Sequence, residues 1–266
     1  MLKNHVLQAW RANKSAIGGW ISADSVFTAE IMANAGFDWV CLDMQHGMID
    51  YNDVRLMLPA ISTTNTIPLV RVPWNEPYEI MKVLDAGAYG VVVPLVNNRK
   101  EAEQAVGACR YPPEGNRSYG PARALIYGGS DYAAEANKEI ACIVMIETRE
   151  SLENLDEIMS TPGVDGIYIG PSDLAFALGL APGTTEPKHE ETIRTILSTT
   201  QKHGIAAGIH TGSANQSRKY LDMGFHMVTL GTDRHFMDRM AKADLADVRS
   251  KSNEKDDLRD SNENLY

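Results

Sequence analysis

The sequence predicts a single (β/α)8 barrel, an α/β fold, from two observations. Eight short apolar segments rich in β-branched residues alternate with amphipathic helical segments over about 250 residues. Four of the apolar segments follow a glycine at the point where a helix should end, which is typical of short turns from helix to strand. A doubly wound sheet is the alternative, but no Gly-x-Gly-x-x-Gly motif follows the first strand and no phosphate-binding lysine loop occurs.

The alternation begins directly after an amphipathic opening segment at residues 2–13. The predicted strands cover residues 16–21, 39–42, 68–72, 90–96, 141–146, 166–169, 206–210 and 227–230. The predicted helices lie near residues 25–35, 52–62, 77–85, 100–109, 151–160, 190–203, 214–223 and 234–249. The glycines expected to end helices are Gly36, Gly87, Gly163 and Gly224.

Two regions depart from this alternation. Residues 111–130 are rich in Pro and Gly and too long for a plain connection, so they form either a functional or an ordered surface loop. Arg117 and Arg123 in this loop could meet an anionic substrate or a neighbouring subunit. We place the barrel domain at residues 1–249 and expect the polar residues 250–266 to be disordered. Residues 263–266 also resemble the start of a protease-cleavage tag.

Composition excludes several classes of protein. A hydrophobic fraction of 44% supplies a core, yet no window approaches the roughly 18 apolar residues of a membrane span. The net charge of −10 argues against a nucleic-acid partner, and no signal peptide is evident. Cys41, Cys109 and Cys142 are odd in number and far apart, which fits neither a disulfide framework nor a zinc site, so we expect a cytoplasmic location. Cys41 and Cys142 lie in predicted strands, where we expect buried inert thiols.

Two carboxylates follow neighbouring predicted strands, at the edge where barrel enzymes carry their reactive groups. Glu147 ends the fifth strand and Asp173 lies just beyond the sixth. Because both strand ends share one edge, the two carboxylates can converge and bind a hard divalent cation. Alternatively, Glu147 or Thr148 opens the next helix, and Asp173 caps a helix that begins near Pro171.

The second and third strands end in groups suited to acid/base chemistry and anion binding. Asp43 and His46 form a candidate acid/base pair, because imidazole titrates near neutral pH and a carboxylate can orient it. Arg71 lies between valines, a position that favours projection toward an anion at the mouth. A locally satisfied histidine and a structural ion pair are the respective alternatives.

The seventh and first strands offer less. His210 ends the seventh strand and is either a wall of the pocket or a structural histidine. The first strand contributes Gly18, Gly19 and Trp20, so we expect it to leave room near the mouth.

Two common mechanisms lack their residues in this sequence. A Schiff-base aldolase needs a lysine at a strand end, whereas the lysines here fall in predicted helices or turns. No Gly-x-Ser-x-Gly motif for a serine hydrolase occurs. The remaining carboxylates, arginine and histidine favour metal-assisted enolate chemistry on a small oxoacid.

Five motifs follow one another along the chain: Asp43-x-x-His46-Gly, Pro68-Leu-Val-Arg71-Val-Pro, Arg110-Tyr-Pro-Pro-x-Gly-x-Arg117, Ile146-Glu147-Thr-Arg and Gly170-Pro-Ser-Asp173-Leu. In this order they resemble the HpcH/HpaI family of metal-dependent pyruvate aldolases, and the resemblance extends from about residue 20 to residue 249. The resemblance implies a barrel that cleaves 4-hydroxy-2-oxoacids, assembled as a homo-oligomer, a hexamer.

The resemblance also implies residue roles. Glu147 and Asp173 would bind Mg²⁺, Mn²⁺ or Co²⁺, His46 would be the acid/base group, and Arg71 would stabilise the enolate oxygen. The backbone around Ser172 and Asp173 would bind the pyruvate carboxylate. Asp85, acting across a subunit boundary, would raise the basicity of the histidine.

Two positions depart from the pattern of the family. Gln45 stands where many members have Glu before the histidine, which removes a negative charge. Met145 stands where many have Gln, and a thioether cannot donate the hydrogen bond that an amide offers to substrate. We therefore expect substrate binding at Met145 to differ from that of relatives.

These observations predict reversible aldol cleavage of a 4-hydroxy-2-oxoacid to pyruvate and an aldehyde. Arg117, Arg123 and a neighbouring chain are the expected determinants of the acceptor aldehyde. Alternative uses of the same enolate are oxaloacetate decarboxylation and a CoA-thioester lyase reaction, although no basic groove for CoA is obvious. A non-catalytic barrel that binds oxoacids is a further alternative.

Overall fold

Eight parallel strands close into a barrel in the order of the sequence, as predicted. The structure is a computed structural model that describes the backbone of residues 1–263 and the side chains of residues 1–250. The strands are β1 (Ala16–Ile21), β2 (Trp39–Asp43), β3 (Ile67–Arg71), β4 (Gly90–Val93), β5 (Ala141–Met145), β6 (Gly166–Ile169), β7 (Ala206–His210) and β8 (Met227–Thr232).

Helices connect successive strands in an outer layer, and one further helix lies before the first strand and one after the last. Up to β5 they are α1 (His5–Arg11), α2 (Val26–Asn34), α3 (Tyr51–Ile61), α4 (Pro77–Asp85), α5 (Arg99–Cys109), α6 (Ala122–Gly128) and α7 (Tyr132–Glu139). After β5 they are α8 (Arg149–Glu153), α9 (Leu155–Met159), α10 (Pro171–Ala177), α11 (Pro187–His203), α12 (Ala214–Met223) and α13 (Asp233–Glu263).

The helix-to-strand turns have the predicted backbone geometry. Gly36, Gly87, Gly163 and Gly224 have φ angles of 92°, 109°, 93° and 101°, in the region that favours glycine over residues with a Cβ. These turns lie at the amino ends of the strands, on the face opposite the candidate site. They therefore fix the barrel and leave its carboxyl face to the functional groups.

The core has two layers. Apolar side chains inside the barrel pack against one another, and a second cluster fills the space between the strands and the helices. Val6, Leu7 and Trp10 of α1 join the inner cluster, and the indole N–H of Trp10 donates to the carbonyl of His226 over 3.1 Å. Helix α1 therefore closes the amino end of the barrel, and the open mouth lies at the carboxyl end.

Two strand boundaries differ from the prediction by more than one residue. Strand β4 was expected to reach residue 96 but ends at Val93, because the chain turns at Pro94 and Leu95, where φ is +53°. Strand β8 continues past residue 230 to Thr232, since Gly231 and Thr232 pair with Gly19 and Trp20 of β1.

The segment 111–130 is not a plain loop, because it contains α6 and leads directly into α7. Helix α13 continues past its predicted end at residue 249 to Glu263. Disorder was expected for residues 250–266. In this tail, the side chains from residue 251 onward and the backbone from residue 264 onward lie outside the described residues. The domain boundary at residue 249 stays a prediction.

Two expectations from composition can be compared with the structure. Cys41 and Cys142 are buried free thiols, as predicted, and Cys109 is also a buried free thiol. Among the residues that the structure describes, no helix is both long and apolar enough to cross a membrane.

Candidate active site

A cavity of about 480 Å³ opens at the carboxyl end of the barrel. Side chains from seven strand ends and the loops that follow them line it, as expected for a barrel enzyme. The lining residues are Trp20, Ser22, Asp43, His46, Met48, Arg71, Met145, Tyr168, Gly170, Pro171, Ser172, Asp173, His210, Thr232 and Arg234. None of these residues is a lysine, which agrees with the absence of a Schiff-base motif in the sequence.

The cavity brings together seven of the site residues that the sequence singled out. They are Asp43, His46, Arg71, Met145, Ser172, Asp173 and His210. Glu147 lies behind the cavity wall and is 4% exposed, whereas His46, Ser172 and Asp173 are exposed to solvent. Asp85 does not line the cavity.

Neither Glu147 nor Asp173 is the N-cap residue of the helix beside it. Thr148 caps α8 in a reciprocal pair of hydrogen bonds with Ser151, so Glu147 is not needed as a cap. Gly170 is the N-cap residue of α10, and no side-chain hydrogen bond caps this helix. Asp173 lies within the first turn of that helix, where its negative charge is favourable. Both carboxylates thus remain available to the mouth.

Glu147 and Asp173 approach the same point above Gly170. A Cβ placed on Gly170 would lie 3.0 Å from Oε2 of Glu147 and 3.4 Å from Oδ2 of Asp173. The separation of the two carboxylate oxygens therefore cannot exceed the sum of these distances. Glycine at this position leaves free the space between them, which any larger residue would occupy.

The surroundings of Glu147 disfavour its negative charge. Burial raises the pKa of the Glu147 carboxyl, and the charge of Asp173 raises it further. The backbone N–H of Leu95, which donates to Oε1 over 2.9 Å, and the charge of Arg71 lower the pKa in part. A cation near Oε2 would relieve this unfavourable charge.

No three His, Cys, Asp or Glu side chains form a metal-binding group in the part of the chain that the structure describes. The pair of Glu147 and Asp173 is therefore a two-carboxylate arrangement. Hard divalent cations take six or more oxygen ligands and accept water or substrate oxygens among them, so two protein ligands are compatible with such an ion.

Arg71 and Asp43 form a bidentate ion pair at the ends of β3 and β2. Nε of Arg71 lies 2.8 Å from Oδ1 of Asp43, and Nη2 lies 2.7 Å from Oδ2. Burial opposes the charge on Asp43, but the hydrogen bonds and charge of Arg71 outweigh it and lower the pKa of Asp43. The guanidinium also lies 5.0 Å from the centre of the Trp20 ring.

Asp43 and His46 are joined through the backbone. The N–H of His46 donates to Oδ1 of Asp43 over 3.2 Å, as does the N–H of Gln45 over 3.1 Å. The carboxylate thus shapes the turn that carries His46 while its two oxygens also bind Arg71. Arg71 therefore forms the structural ion pair that was the alternative interpretation, and its side chain also lines the cavity.

An aromatic cluster forms one wall of the cavity. Trp20 stacks on Tyr168 with ring centres 5.3 Å apart, and His210 meets the Trp20 ring edge-on at 5.4 Å. Nδ1 of His210 lies 3.1 Å from the Tyr168 hydroxyl, which also contacts the Thr229 hydroxyl. Burial and the charge of Arg71 lower the pKa of His210 to about 4, so the ring is neutral at neutral pH.

The expectation that the first strand leaves room near the mouth is wrong. Trp20 is 2% exposed, and its ring fills the space between Arg71, Tyr168 and His210. Alternation along β1 could have indicated this, because Gly18 and Trp20 are two residues apart and point to the same side of the strand.

Asp85, Arg117 and Arg123 lie at the other end of the barrel. Helices run antiparallel to the strands, so Asp85 at the end of α4 lies at their amino ends. Oδ1 of Asp85 accepts from Nη2 of Arg117 over 2.7 Å, and Arg117 is buried against Tyr111 and Tyr132. Arg123 donates to the Ala86 carbonyl over 2.8 Å. Neither arginine reaches the mouth of its own chain.

Four polar residues at the mouth were not predicted from the sequence. Ser22, Thr232 and Arg234 line the cavity, and buried Asp233 accepts hydrogen bonds from the backbone of Ser22 and Ala23. The predicted end of β8 near residue 230 could have indicated Thr232, Asp233 and Arg234, because the residues that follow a barrel strand face the mouth.

A barrel with a histidine, an arginine and paired carboxylates at its carboxyl end has the arrangement of a catalytic site. Comparison with known proteins specifies the class. The sequence model of the family described as HpcH/HpaI aldolase/citrate lyase matches residues 16–238. The chain belongs to this family.

Individual relatives agree. The hydroxypyruvate/pyruvate aldolase of Rhizorhabdus wittichii is 41% identical over 93% of this chain and 99% of its own. The 5-keto-4-deoxy-D-glucarate aldolase of Escherichia coli O157:H7 is 39% identical over 92% of this chain and 96% of its own. A crystal structure of a family member from Burkholderia cenocepacia J2315 superposes with a TM-score of 0.88 at 34% identity, covering 93% of this chain and all of that one.

These comparisons support an enzyme, a carbon–carbon lyase. The alternative of a non-catalytic oxoacid-binding barrel is therefore set aside. The family model and the named aldolases confirm the resemblance inferred from the five sequence motifs.

Proposed function

We propose that the chain catalyses reversible aldol cleavage of a 4-hydroxy-2-oxoacid to pyruvate and an aldehyde. The observation that carries this proposal is the convergence of His46, Arg71 and Asp173 on one cavity, with Glu147 directly behind Gly170. The activities named for the two aldolase relatives support it.

The family resemblance implies a divalent cation, Mg²⁺, Mn²⁺ or Co²⁺, that Glu147 and Asp173 would hold. The two residues fit such an ion, because their oxygens flank one point above Gly170 and burial disfavours the charge of Glu147 without a cation. A divalent ion there would supply Lewis-acid polarisation of the keto group.

The side chains would divide the remaining work. His46, exposed at the mouth, would take the proton from the C4 hydroxyl in cleavage and return it in addition. Arg71 would stabilise the negative charge that develops on the enolate oxygen as the carbon–carbon bond breaks. Asp43 would hold the guanidinium in place through its two short hydrogen bonds.

Substrate binding would involve the walls of the cavity. Backbone N–H groups around Ser172 and Asp173, in the first turn of α10, would bind the pyruvate carboxylate. His210 and Met145 would contact the oxoacid as parts of the wall. Met145 cannot donate a hydrogen bond, so the substrate would have one fewer polar contact than in relatives with Gln.

Exchange of the pyruvate methyl protons with deuterated solvent, followed by NMR, tests the enolate chemistry. We expect exchange with added Mn²⁺ and its loss after chelation, because enolate formation needs charge stabilisation at the keto oxygen. Glu147→Gln and Asp173→Asn should lower the exchange rate by about 100-fold or more.

Glu150→Gln is the matched control, because Glu150 lies on α8 outside the cavity and is exposed. It should exchange at the rate of the unmodified protein. Full exchange after thorough chelation, or in Asp173→Asn, would rule out the metal-dependent mechanism. Cleavage assays on a panel of 4-hydroxy-2-oxoacids would then identify the aldehyde.

A further inference from the structure

Arg234 occupies a distinct position on the cavity rim. It is the second residue of α13, directly after β8, and its side chain lines the mouth cavity beside Thr232. It also lines an adjoining cavity of about 450 Å³ that shares His210 and Thr232 with the first. The residue is exposed to solvent, so its guanidinium is accessible from the mouth.

The two arginines of the cavity differ in their partners. Arg71 directs two nitrogens to the carboxylate of Asp43, so its charge is compensated. Among the described side chains, no carboxylate forms an ion pair with Arg234. Two carboxylates close to it in sequence are engaged elsewhere: Asp238 pairs with Lys242 at 2.7 Å, and Asp233 accepts from the loop after β1.

The strand order places Arg234 away from the groups that would hold the oxoacid. Arg71 ends β3 and Glu147 follows β5, whereas Arg234 follows β8, three strands from each around the closed barrel. A substrate held by its oxoacid end at β3, β5 and β6 would therefore direct its other end toward Arg234. The chain as a whole has a net charge of −10, whereas this part of the rim carries the positive charge of Arg234 without an ion-pair partner among the described side chains.

We propose that Arg234 determines acceptor specificity by binding a carboxylate at the far end of the aldehyde. The guanidinium presents paired N–H donors that match a carboxylate, and such charge-assisted bonds are stronger than neutral ones. This inference rests on the proposed aldolase function. It names the substrate class as an aldehyde that carries its own carboxylate, so that the cleaved oxoacid is a dicarboxylate.

Aldol addition of pyruvate to two aldehydes of equal carbon number provides the test. Succinic semialdehyde carries a terminal carboxylate, and butanal does not. For the unmodified protein, kcat/KM should favour succinic semialdehyde. In Arg234→Gln, the ratio of the two kcat/KM values should fall by about 10-fold to 100-fold, mainly through the KM of succinic semialdehyde.

Two further variants make the result specific. Arg234→Lys keeps the charge without the paired donors and should restore part of the ratio. Arg239→Gln removes a positive charge from the same helix, outside the cavity, and should leave the ratio unchanged within about twofold. Folding of each variant is checked by circular dichroism.

The outcomes separate the two proposals. If the enzyme consumes butanal as readily as succinic semialdehyde, or if Arg234→Gln lowers both activities equally, the assignment of Arg234 is overturned while the aldolase function stands. An equal loss of selectivity in Arg239→Gln also overturns it, because the effect would then come from general charge. If neither aldehyde reacts with pyruvate, both proposals fall.

Discussion

His210 shows how a single residue at the mouth responds to its surroundings. Its ring contacts Trp20 and Tyr168, and burial together with the charge of Arg71 lowers its pKa to about 4. A neutral imidazole at neutral pH offers substrate a hydrogen-bonding group without adding charge to the cavity. His210 is thus better suited to substrate contact than to acid/base exchange near neutral pH.

The lowered pKa of His210 predicts a loss of stability at mildly acidic pH. As the pH falls below 6.5, the unfolded chain binds a proton at this histidine, whereas the folded protein does so only near pH 4. Stability is therefore lost from pH 6.5 downward. Urea denaturation should show that His210→Gln removes about 1–2 kcal/mol of this loss between pH 7 and pH 5.

The control for this experiment is His5→Gln, which changes an exposed histidine at the closed end of the barrel. It should leave the pH dependence close to that of the unmodified protein. Equal pH dependence in His210→Gln and the unmodified protein would contradict the proposed neutral state.

Single residues of the site were predictable to different degrees. Arg71 and His46 stand out in the sequence because a charged or titratable residue follows an apolar strand, and both line the cavity. The bidentate bond from Arg71 to Asp43 was not predictable, since sequence alone does not show which carboxylate an arginine will meet. Trp20 was expected to leave room near the mouth, because the sequence does not show that its ring would turn into the cavity and form one of its walls.

At the scale of elements, the first turn of α13 holds the loop after β1 in place. Asp233 is 3% exposed, and its Oδ1 accepts from the N–H and hydroxyl of Ser22 over 3.1 and 2.9 Å. Its Oδ2 accepts from the N–H of Ala23 over 3.0 Å. This carboxylate thus joins the last strand of the barrel to the first, directly beside the mouth.

Loss of this carboxylate should loosen the loop. Asp233→Ala leaves the part-buried donors of Ser22 and Ala23 without this partner, which costs about 1–3 kcal/mol of unfolding free energy. Hydrogen exchange at the amides of Ser22 and Ala23 should become faster, while exchange within β5 should change only as much as global stability requires.

Asp238→Asn provides the comparison, because Asp238 forms an exposed ion pair with Lys242 on the same helix. Such pairs contribute about 0–1 kcal/mol, so this variant should remain close to the unmodified protein. The role assigned to Asp233 is wrong if the two variants lose the same stability, or if exchange at Ser22 stays slow in Asp233→Ala.

Element boundaries were predictable where the sequence carries its own stop signal. The glycines before β2, β4, β6 and β8 mark the helix ends because few other residues adopt their backbone angles readily. The end of β4 was missed although Pro94 is a local stop signal, because the apolar run Val-Val-Val-Pro-Leu-Val continues past it and nothing local shows that Leu95 turns toward Glu147. Tertiary hydrogen bonding sets that boundary.

At the scale of the whole molecule, Asp85 lies far from the mouth of its own chain. It pairs with Arg117 at the amino ends of the strands, so within one chain it cannot orient His46. The role implied by the family resemblance therefore requires a second copy of the chain. Arg117 and Arg123 share this end and would likewise act on a neighbouring site if they select the acceptor.

Mixing two inactive variants tests this arrangement. His46→Ala and Asp85→Asn should each lose most activity alone, whereas mixed oligomers contain some sites with both residues intact. If each site takes His46 from one copy and Asp85 from another, random reassembly of an equal mixture should regain about a quarter of the sites. Activity is measured by pyruvate release after reassembly.

A mixture that stays inactive after reassembly would contradict a site shared between copies. Glu79→Gln serves as the control for reassembly, because Glu79 lies on the same helix as Asp85 but in its first turn. In a mixture with His46→Ala, activity should be proportional to the fraction of chains that carry Glu79→Gln, because only those chains have His46.

The helix that closes the amino end of the barrel has a kinetic consequence. With α1 and the inner core filling that end, ligands enter and leave through the mouth. In the proposed arrangement the pyruvate part lies beside buried Glu147 and Arg71, and the aldehyde part lies nearer the exposed rim at Arg234. Departure is then sequential: the aldehyde leaves first and pyruvate last, and in the reverse direction pyruvate must bind before its acceptor.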